Sequence, residues 1–140
     1  MNNIKLNDVI SEIEHLSNGE RNNVPLPDDA LISQYEKEIG FIFSDDYKEV
    51  LKKISNIFYG TIDLLTVTKD KKYHGELSQV LNDAREQGLP RDWLPICEDN
   101  GSYYCIDNKG KIRYWTTDGY SEESWSDLAS WIKQVWIEGN

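Results

Sequence analysis

Cysteine and histidine are scarce in this 140-residue chain, which contains two of each. Two cysteines are too few for a disulfide framework, and a structural zinc site needs four Cys or His ligands at short spacings. Cys97, Cys105, His15 and His74 are instead scattered over four predicted elements. We therefore predict no metal site, and nothing in the sequence indicates a cofactor.

Long apolar runs are also missing. No stretch of about 18 apolar residues occurs, which is the length that a transmembrane helix needs, and the first ten residues lack the apolar centre of a signal peptide. The sequence therefore predicts a cytoplasmic protein without membrane contact.

Positive charge is in deficit, since 15 Lys and Arg stand against 25 Asp and Glu, for a net charge of −10. Such a surface repels the phosphates of nucleic acids and anionic membranes. It suits a basic partner protein, because complementary fields speed association. The alternative is that the charge serves only solubility.

The chain has enough large apolar side chains for one core. Its length is typical of a single domain, 39% of its residues are hydrophobic, and it contains five Trp and eight Tyr. Intrinsically disordered proteins are poor in aromatic residues. We therefore predict one folded domain spanning residues 1–140.

Apolar residues at helical spacing predict five helices. Asp28-Asp29 and Ser44-Asp45-Asp46 precede two of them, where capping side chains and negative charge are favourable. Gly40 is a suitable C-terminal residue for the second helix. The five stripes are Val9, Ile10, Ile13, Leu16; Leu31, Ile32, Tyr35, Ile39; Tyr47, Val50, Leu51, Ile54; Leu77, Val80, Leu81, Ala84; and Trp125, Leu128, Trp131, Ile132, Val135.

Short segments rich in β-branched and aromatic residues predict strands. These segments are 61–67, 93–97, 102–106 and 111–115. The turns at 99–101 and 107–110 contain Asp, Asn and Gly, as hairpins do, and so indicate an antiparallel meander in the C-terminal half. The predicted fold class is α+β, with an antiparallel sheet packed with about five helices.

The first hairpin also bears on the two cysteines. With a three-residue loop, Cys97 would face Tyr103 and Cys105 would face Pro95, so the cysteines would be diagonal neighbours. Diagonal positions lie roughly 7–8 Å apart, which is beyond the usual reach of a disulfide. We expect two free, buried thiols.

A catalytic apparatus is not recognisable in the sequence. It has no Gly-rich phosphate loop, and its Asp/Asn/Gly turns lack the twelve-residue calcium pattern. A nucleophilic Cys would need a nearby His, and only His74 could be brought close. We predict no catalytic residues. An enzymatic function would depend on a pocket that the sequence does not show.

Large side chains occupy both predicted faces of the last two strands. Tyr103 and Cys105 alternate with Tyr104 and Ile106, and a sheet covered on one side needs only one apolar face. One interpretation is that the second face binds a partner, since Trp and Tyr dominate binding hot spots. The other is that helices or loops cover both faces.

Acidic residues near the predicted hairpins indicate a binding surface. In a meander, the 98–101 turn and the 117–123 segment lie at the same edge, and no basic residue occurs from Thr117 to Asp127. The alternative is that Glu122 and Glu123 only stabilise the last helix N-terminus and that Trp115 is a core residue. The predicted partner-binding residues are Glu98, Asp99, Tyr103, Trp115, Asp118, Tyr120, Glu122 and Glu123.

Several segments together resemble a known family. They are Asp45-Asp-Tyr-Lys-Glu-Val-Leu51, Trp93-Leu-Pro-Ile-Cys-Glu-Asp-Asn-Gly-Ser-Tyr-Tyr-Cys-Ile-Asp107, Ile112-Arg-Tyr-Trp115 and Ser124-Trp-Ser-Asp-Leu-Ala-Ser-Trp131. From about residue 27 to 136 the chain resembles the SUKH superfamily, which is related to a yeast cell-wall synthesis regulator and widespread in bacteria as immunity proteins. It departs from the family pattern at Phe43-Ser44, where the family has Leu-Pro, and at Gly60, where the family often has two glycines.

The resemblance implies an α+β domain without enzyme activity. It further implies an immunity protein that binds and neutralises a cognate bacterial toxin, often a nuclease, by covering its active or substrate-binding site. A toxin with a basic cleft would match the acidic charge. The alternative is a regulatory or scaffold domain that binds another intracellular protein or a small ligand.

Overall fold

The computed structural model describes residues 4–139, except the side chain of Tyr120. Within these residues five α-helices and four β-strands are present, and the last helix continues into a π-helical segment. They are α1 (Leu6–Leu16), α2 (Asp29–Ile39), α3 (Asp45–Ile54), α4 (Leu77–Glu86), β1 (Leu94–Asp99), β2 (Ser102–Ile106), β3 (Ile112–Thr116), β4 (Gly119–Trp125), α5 (Leu128–Trp131) and the π-helical segment Ile132–Ile137. The predicted α+β fold is confirmed. None of the described helices is both long and apolar enough to cross a membrane.

Local side chains set the helix ends. Asp28, Ser44 and Asp127 each accept a hydrogen bond from the backbone N–H three residues later, at 2.8, 3.1 and 2.8 Å. Such caps satisfy N–H groups that have no partner inside the helix. Gly40 ends α2 with a φ of 76°, a conformation that glycine adopts without steric cost.

The four strands form one antiparallel sheet in the order β1-β2-β3-β4. Asp99 pairs with Ser102, so the first hairpin has a two-residue loop, Asn100–Gly101, in which both φ angles are positive. This corrects the three-residue loop predicted above. The two-residue loop places Cys97 opposite Tyr104 rather than Tyr103. A β-bulge between Pro95 and Cys97 then shifts the register by one residue, so that Cys105 faces Pro95 as predicted.

The segment 61–67 is not a strand, contrary to the prediction. It forms only isolated bridges, including one from Leu64 to Cys97, and the Leu65 N–H donates to the Ile96 carbonyl at 2.9 Å. Pro95 has no N–H to donate, and the bulge interrupts the regular spacing of β1. The segment therefore runs beside the edge of β1 without forming a ladder.

The segment Gly119–Trp125 is an edge strand, β4, where a loop and the start of a helix were predicted. The Thr116 hydroxyl closes the turn before it by donating to the Gly119 carbonyl at 3.1 Å and accepting from the Asp118 N–H at 3.1 Å. Trp125 consequently belongs to the sheet, opposite Ile112, and α5 begins only after Asp127.

Both faces of the sheet are covered. On one face Tyr104 contacts the rings of Trp125 and Trp131 at centroid distances of 5.7 and 5.3 Å. On the other face Tyr103 and Trp115 stack at 6.0 Å and pack with α4 residues in a second, smaller core. The aromatic residues on the two faces of the sheet therefore belong to two cores. This agrees with the interpretation that helices or loops cover both faces.

The first and last helical elements share the larger core. Ile10, Ile13, Trp131, Ile132 and Trp136 all belong to it. At its margin the Lys133 ammonium lies 3.1 Å from both carboxylate oxygens of Glu12, which is 121 residues earlier in the chain. The two ends of the described chain are thus held together.

Cys97 and Cys105 are free and buried, and we expect both to resist alkylation. Burial, followed by nearby carboxylates, raises the pKa of Cys97 to about 12, and burial also raises the pKa of Cys105. Only the thiolate reacts, and an ordinary thiol is about half ionised near pH 8.5. At that pH iodoacetamide should leave both residues unmodified in the native protein and label both in urea, as measured by intact mass. Rapid labelling of the native protein would contradict this.

Candidate partner-binding surface

The β1–β2 turn and the β3–β4 turn lie at the same end of the sheet. Tyr103, next to the first turn, pairs with Trp115, and Thr116 pairs with Gly119 across the second turn. Because chain direction reverses at every turn of a meander, alternate turns share an end. The structure therefore places the 98–101 turn and the start of the 117–123 segment at the same end of the sheet, while the rest of that segment runs back along β4.

We call five carboxylates the acidic rim: Glu98 and Asp99 at the first turn, Asp118 at the second turn, and Glu122 and Glu123 farther along the edge strand β4. All are exposed except Asp99, which is half-buried. The Tyr114 hydroxyl donates to Asp99 at 3.0 Å, which fixes one carboxylate in the rim. The other four carboxylates are exposed to solvent.

In the described part of the chain, the acidic rim has fewer ion pairs than the helical surface. On the helices some carboxylates meet lysines, as in the Lys53–Glu49 and Lys71–Glu38 pairs at 2.9 and 2.7 Å. Others, such as Asp45 and Glu86, form no ion pair within that part of the chain. No ion pair between described residues involves a rim carboxylate. The rim therefore contributes negative charge that no ion pair between described residues compensates.

The charges from the two sides of the rim act on a common neighbour. The pKa of Tyr104 is raised to about 12, first by burial and then by nearby negative charges that include Asp99 and Glu123. Asp99 comes from β1 and Glu123 from β4, on opposite edges of the sheet. Carboxylates from both edges of the sheet therefore lie close enough to Tyr104 to affect its pKa.

A cleft of about 360 Å³ adjoins the rim, and Glu98 borders both. We call it the Phe58 cleft. Its walls come from four separate segments: 22–24, Phe58, 63–66 and 73–75. Phe58 is 58% exposed, although a phenylalanine is normally buried. A second cleft, on the other side of segment 73–75, is also bordered by Glu98.

The cleft is not predictable from local sequence patterns. Its residues are spread over four segments, and 61–67 was interpreted as a strand. One signal was available, because Asp63 interrupts an otherwise apolar segment from Ile62 to Leu65. A lone carboxylate there is consistent with a side chain that faces a solvent-filled space.

Among the described residues, no group of three or more His, Cys, Asp or Glu side chains could hold a metal ion. The acidic rim is spread over two turns and the edge strand β4 rather than converging on one point.

Comparison with known families decides what kind of domain this is. The family model SUKH_5, described as SMI1-KNR4 cell-wall, matches residues 6–137. The chain belongs to the SUKH family. The match extends the likeness noted from the sequence, which began at about residue 27, to include α1.

A solved structure supports the same assignment for this SUKH domain. The crystal structure of a protein from Pseudomonas syringae pv. tomato has a TM-score of 0.85 and 30% sequence identity to it. The alignment covers 94% of this chain and 98% of that one. A comparison with curated protein sequences found no match. SUKH domains are known as immunity proteins, and the family is typically non-catalytic and suggests binding of a partner protein.

The SUKH domain does not expose all the residues predicted for its partner-binding surface. Tyr103 and Trp115 are only 2% and 4% exposed, because α4 covers that face of the sheet. They belong to the smaller core and are not at the surface to anchor a partner. Tyr120 is in β4 opposite Trp115, and its side chain lies outside the part that the structure describes. The five rim carboxylates are the remaining predicted residues.

Proposed function

We propose that this SUKH domain is an immunity protein that binds a cognate bacterial toxin and neutralises it. It does so in the cytoplasm, by covering the active or substrate-binding site of the toxin. The proposed toxin is a nuclease, since a nuclease must hold phosphates in a basic cleft.

The acidic rim is the observation that carries this proposal. Its carboxylates have no basic partner among the described residues, and a basic cleft would supply one. Complementary charge raises the rate of encounter and orients the partners. Exposed rim charges contribute mainly to association rate, whereas charges that become buried contribute more to the lifetime of the complex.

The test uses the toxin domain encoded by the gene directly upstream and charge reversals in the rim. The variant Asp118→Lys/Glu122→Lys/Glu123→Lys should bind that toxin domain with an association rate lower by roughly tenfold or more at low salt. The difference should shrink at high salt, because salt screens exposed charges. Stopped-flow or surface plasmon resonance at two salt concentrations measures it.

Glu86→Lys is a control for charge reversal outside the rim. Glu86 is exposed near the end of α4 and belongs to no ion pair between described residues, so this single reversal tests the effect of charge away from the rim. It should leave the association rate nearly unchanged. If the triple variant associates as fast as wild type in a correctly folded protein, the toxin binds elsewhere. If no toxin gene adjoins and no toxin binds, a regulatory or scaffold role replaces the immunity role.

A further inference from the structure

The Phe58 cleft combines two carboxylates with two aromatic side chains. Asp63 and Glu98 border it, together with Phe58 and Tyr73. Both carboxylates are exposed, and neither belongs to an ion pair between described residues. Such a wall offers a cation two kinds of attraction, from negative charge and from the faces of aromatic rings.

The carboxylates converge on one place. Asp63 precedes Leu64, which bridges to Cys97, and Glu98 follows Cys97 directly. The charges of both carboxylates act on the Cys97 thiol, whose pKa is raised first by its burial. Although they are 35 positions apart in the sequence numbering, Asp63 and Glu98 therefore face a common region.

The walls of the cleft are held by backbone hydrogen bonds before anything binds. On one side the Asn22 N–H donates to the Asn56 carbonyl and the Phe58 N–H to the Glu20 carbonyl, at 2.9 and 3.0 Å. On the other side the Thr66 N–H donates to the Gly75 carbonyl at 2.9 Å. A site whose walls are already ordered loses little conformational freedom on binding.

We propose that the Phe58 cleft receives an arginine side chain of the partner protein. A guanidinium group is planar and always charged, so it can stack on an aromatic ring while its N–H groups donate to carboxylates. A lysine ammonium lacks the planar fork. This inference rests on the proposed function, because it names the side chain by which a basic partner would extend its contact from the acidic rim into the cleft through Glu98.

The experiment needs no toxin. The probe is the blocked tripeptide acetyl-Gly-Arg-Gly-amide, titrated into ¹⁵N-labelled full-length protein and followed by NMR. Two controls are the same peptide with citrulline, which keeps the shape without the charge, and with lysine. We expect the arginine peptide to shift the amide signals of residues 22–24, 58, 63–66, 73–75 and 98. The citrulline peptide should shift them little, and the lysine peptide should bind more weakly than arginine.

Two variants test the walls separately. Asp63→Asn/Glu98→Gln removes both charges at nearly constant shape and should weaken arginine binding at least about tenfold, since hydrogen bonds to charged groups are strong. Phe58→Ala removes the exposed ring and should weaken arginine binding more than lysine binding. All three residues are exposed, so the variants should fold, and their spectra show directly whether they do.

Shifts no larger than those from the citrulline peptide would overturn the inference, as would arginine shifts centred on residues 118–123. The outcome is separate from that of the rim test. Peptide binding without toxin binding would leave the cleft assignment standing and remove the proposed function. Toxin binding through the rim without peptide binding would support the proposed function and remove the cleft assignment.

Discussion

Replacing Trp131 with alanine is expected to lower the free energy of unfolding by about 3–5 kcal/mol, the usual cost of truncating a large core side chain. Trp131 is 0% exposed and its ring lies 5.3 Å from that of Tyr104, so it joins α5 to the sheet. Small domains have about 5–15 kcal/mol of stability in total. This one substitution should therefore remove a large share of it.

Urea unfolding followed by circular dichroism measures the loss. Trp125→Ala is the matched control, because Trp125 contacts the same Tyr104 ring at 5.7 Å but is half-buried on the edge strand, and it should lower stability less. Trp131→Phe should retain most of the stability, since the Trp131 indole N–H is buried without a hydrogen-bond partner in the described structure. Equal losses for Trp131→Ala and Trp125→Ala would contradict the placement of Trp131 in the centre of the core.

Replacing Glu76 with alanine is expected to lower the free energy of unfolding by about 2–5 kcal/mol. Glu76 is 2% exposed and accepts hydrogen bonds from the Tyr35 hydroxyl and, at 2.6 Å, from the Thr68 hydroxyl. Burial, followed by the hydrogen bond from its own hydroxyl to Glu76, raises the pKa of Tyr35. Alanine would leave two buried hydroxyl donors without their acceptor, which costs more than the bonds themselves contribute.

Glu76 also holds the loop that borders the Phe58 cleft. Thr68 and Glu76 stand at the two ends of the loop that contains segment 73–75, so the Glu76→Ala protein should show faster amide hydrogen exchange over residues 68–77. Glu76→Gln keeps the size and one carbonyl acceptor and should have a smaller effect, and Glu86→Ala, on the exposed side of α4, should change stability by less than about 0.5 kcal/mol. Unchanged exchange in the Glu76→Ala protein would show that the loop is held by other contacts.

The helices could be predicted from the sequence because their signals are local. Asp28 and Ser44 cap helices through hydrogen bonds that reach only three residues along the chain. Strands depend on a partner elsewhere in the chain, and the two wrongly assigned segments, 61–67 and Gly119–Trp125, both concern strands. Segment 61–67 has strand-like residues but meets Pro95 and a bulge, and β4 is strand without the expected apolar alternation, because an edge strand is half exposed and tolerates Glu122 and Glu123.

Part of the candidate site could likewise be predicted from the sequence, and part could not. The meeting of the 98–101 turn with the start of the 117–123 segment follows from the meander alone, so it could be anticipated even with β4 misassigned. The burial of Tyr103 and Trp115 could not be decided from the sequence, because it depends on where α4 packs. The Phe58 cleft could not be predicted either, because its four wall segments are brought together only by the tertiary fold.

The shared packing of α1 with α5 and the π-helical segment has a consequence for the order of events during synthesis. The Glu12 side of that contact leaves the ribosome first, and its partner Lys133 follows 121 residues later. Until then Ile10 and Ile13 have no Trp131 or Ile132 to pack against. The nascent chain can pack α1 against α3 once residues 45–54 have emerged. The side of α1 that meets α5 and the π-helical segment stays uncovered until residues 128–137 have been made, and the larger core is complete only then.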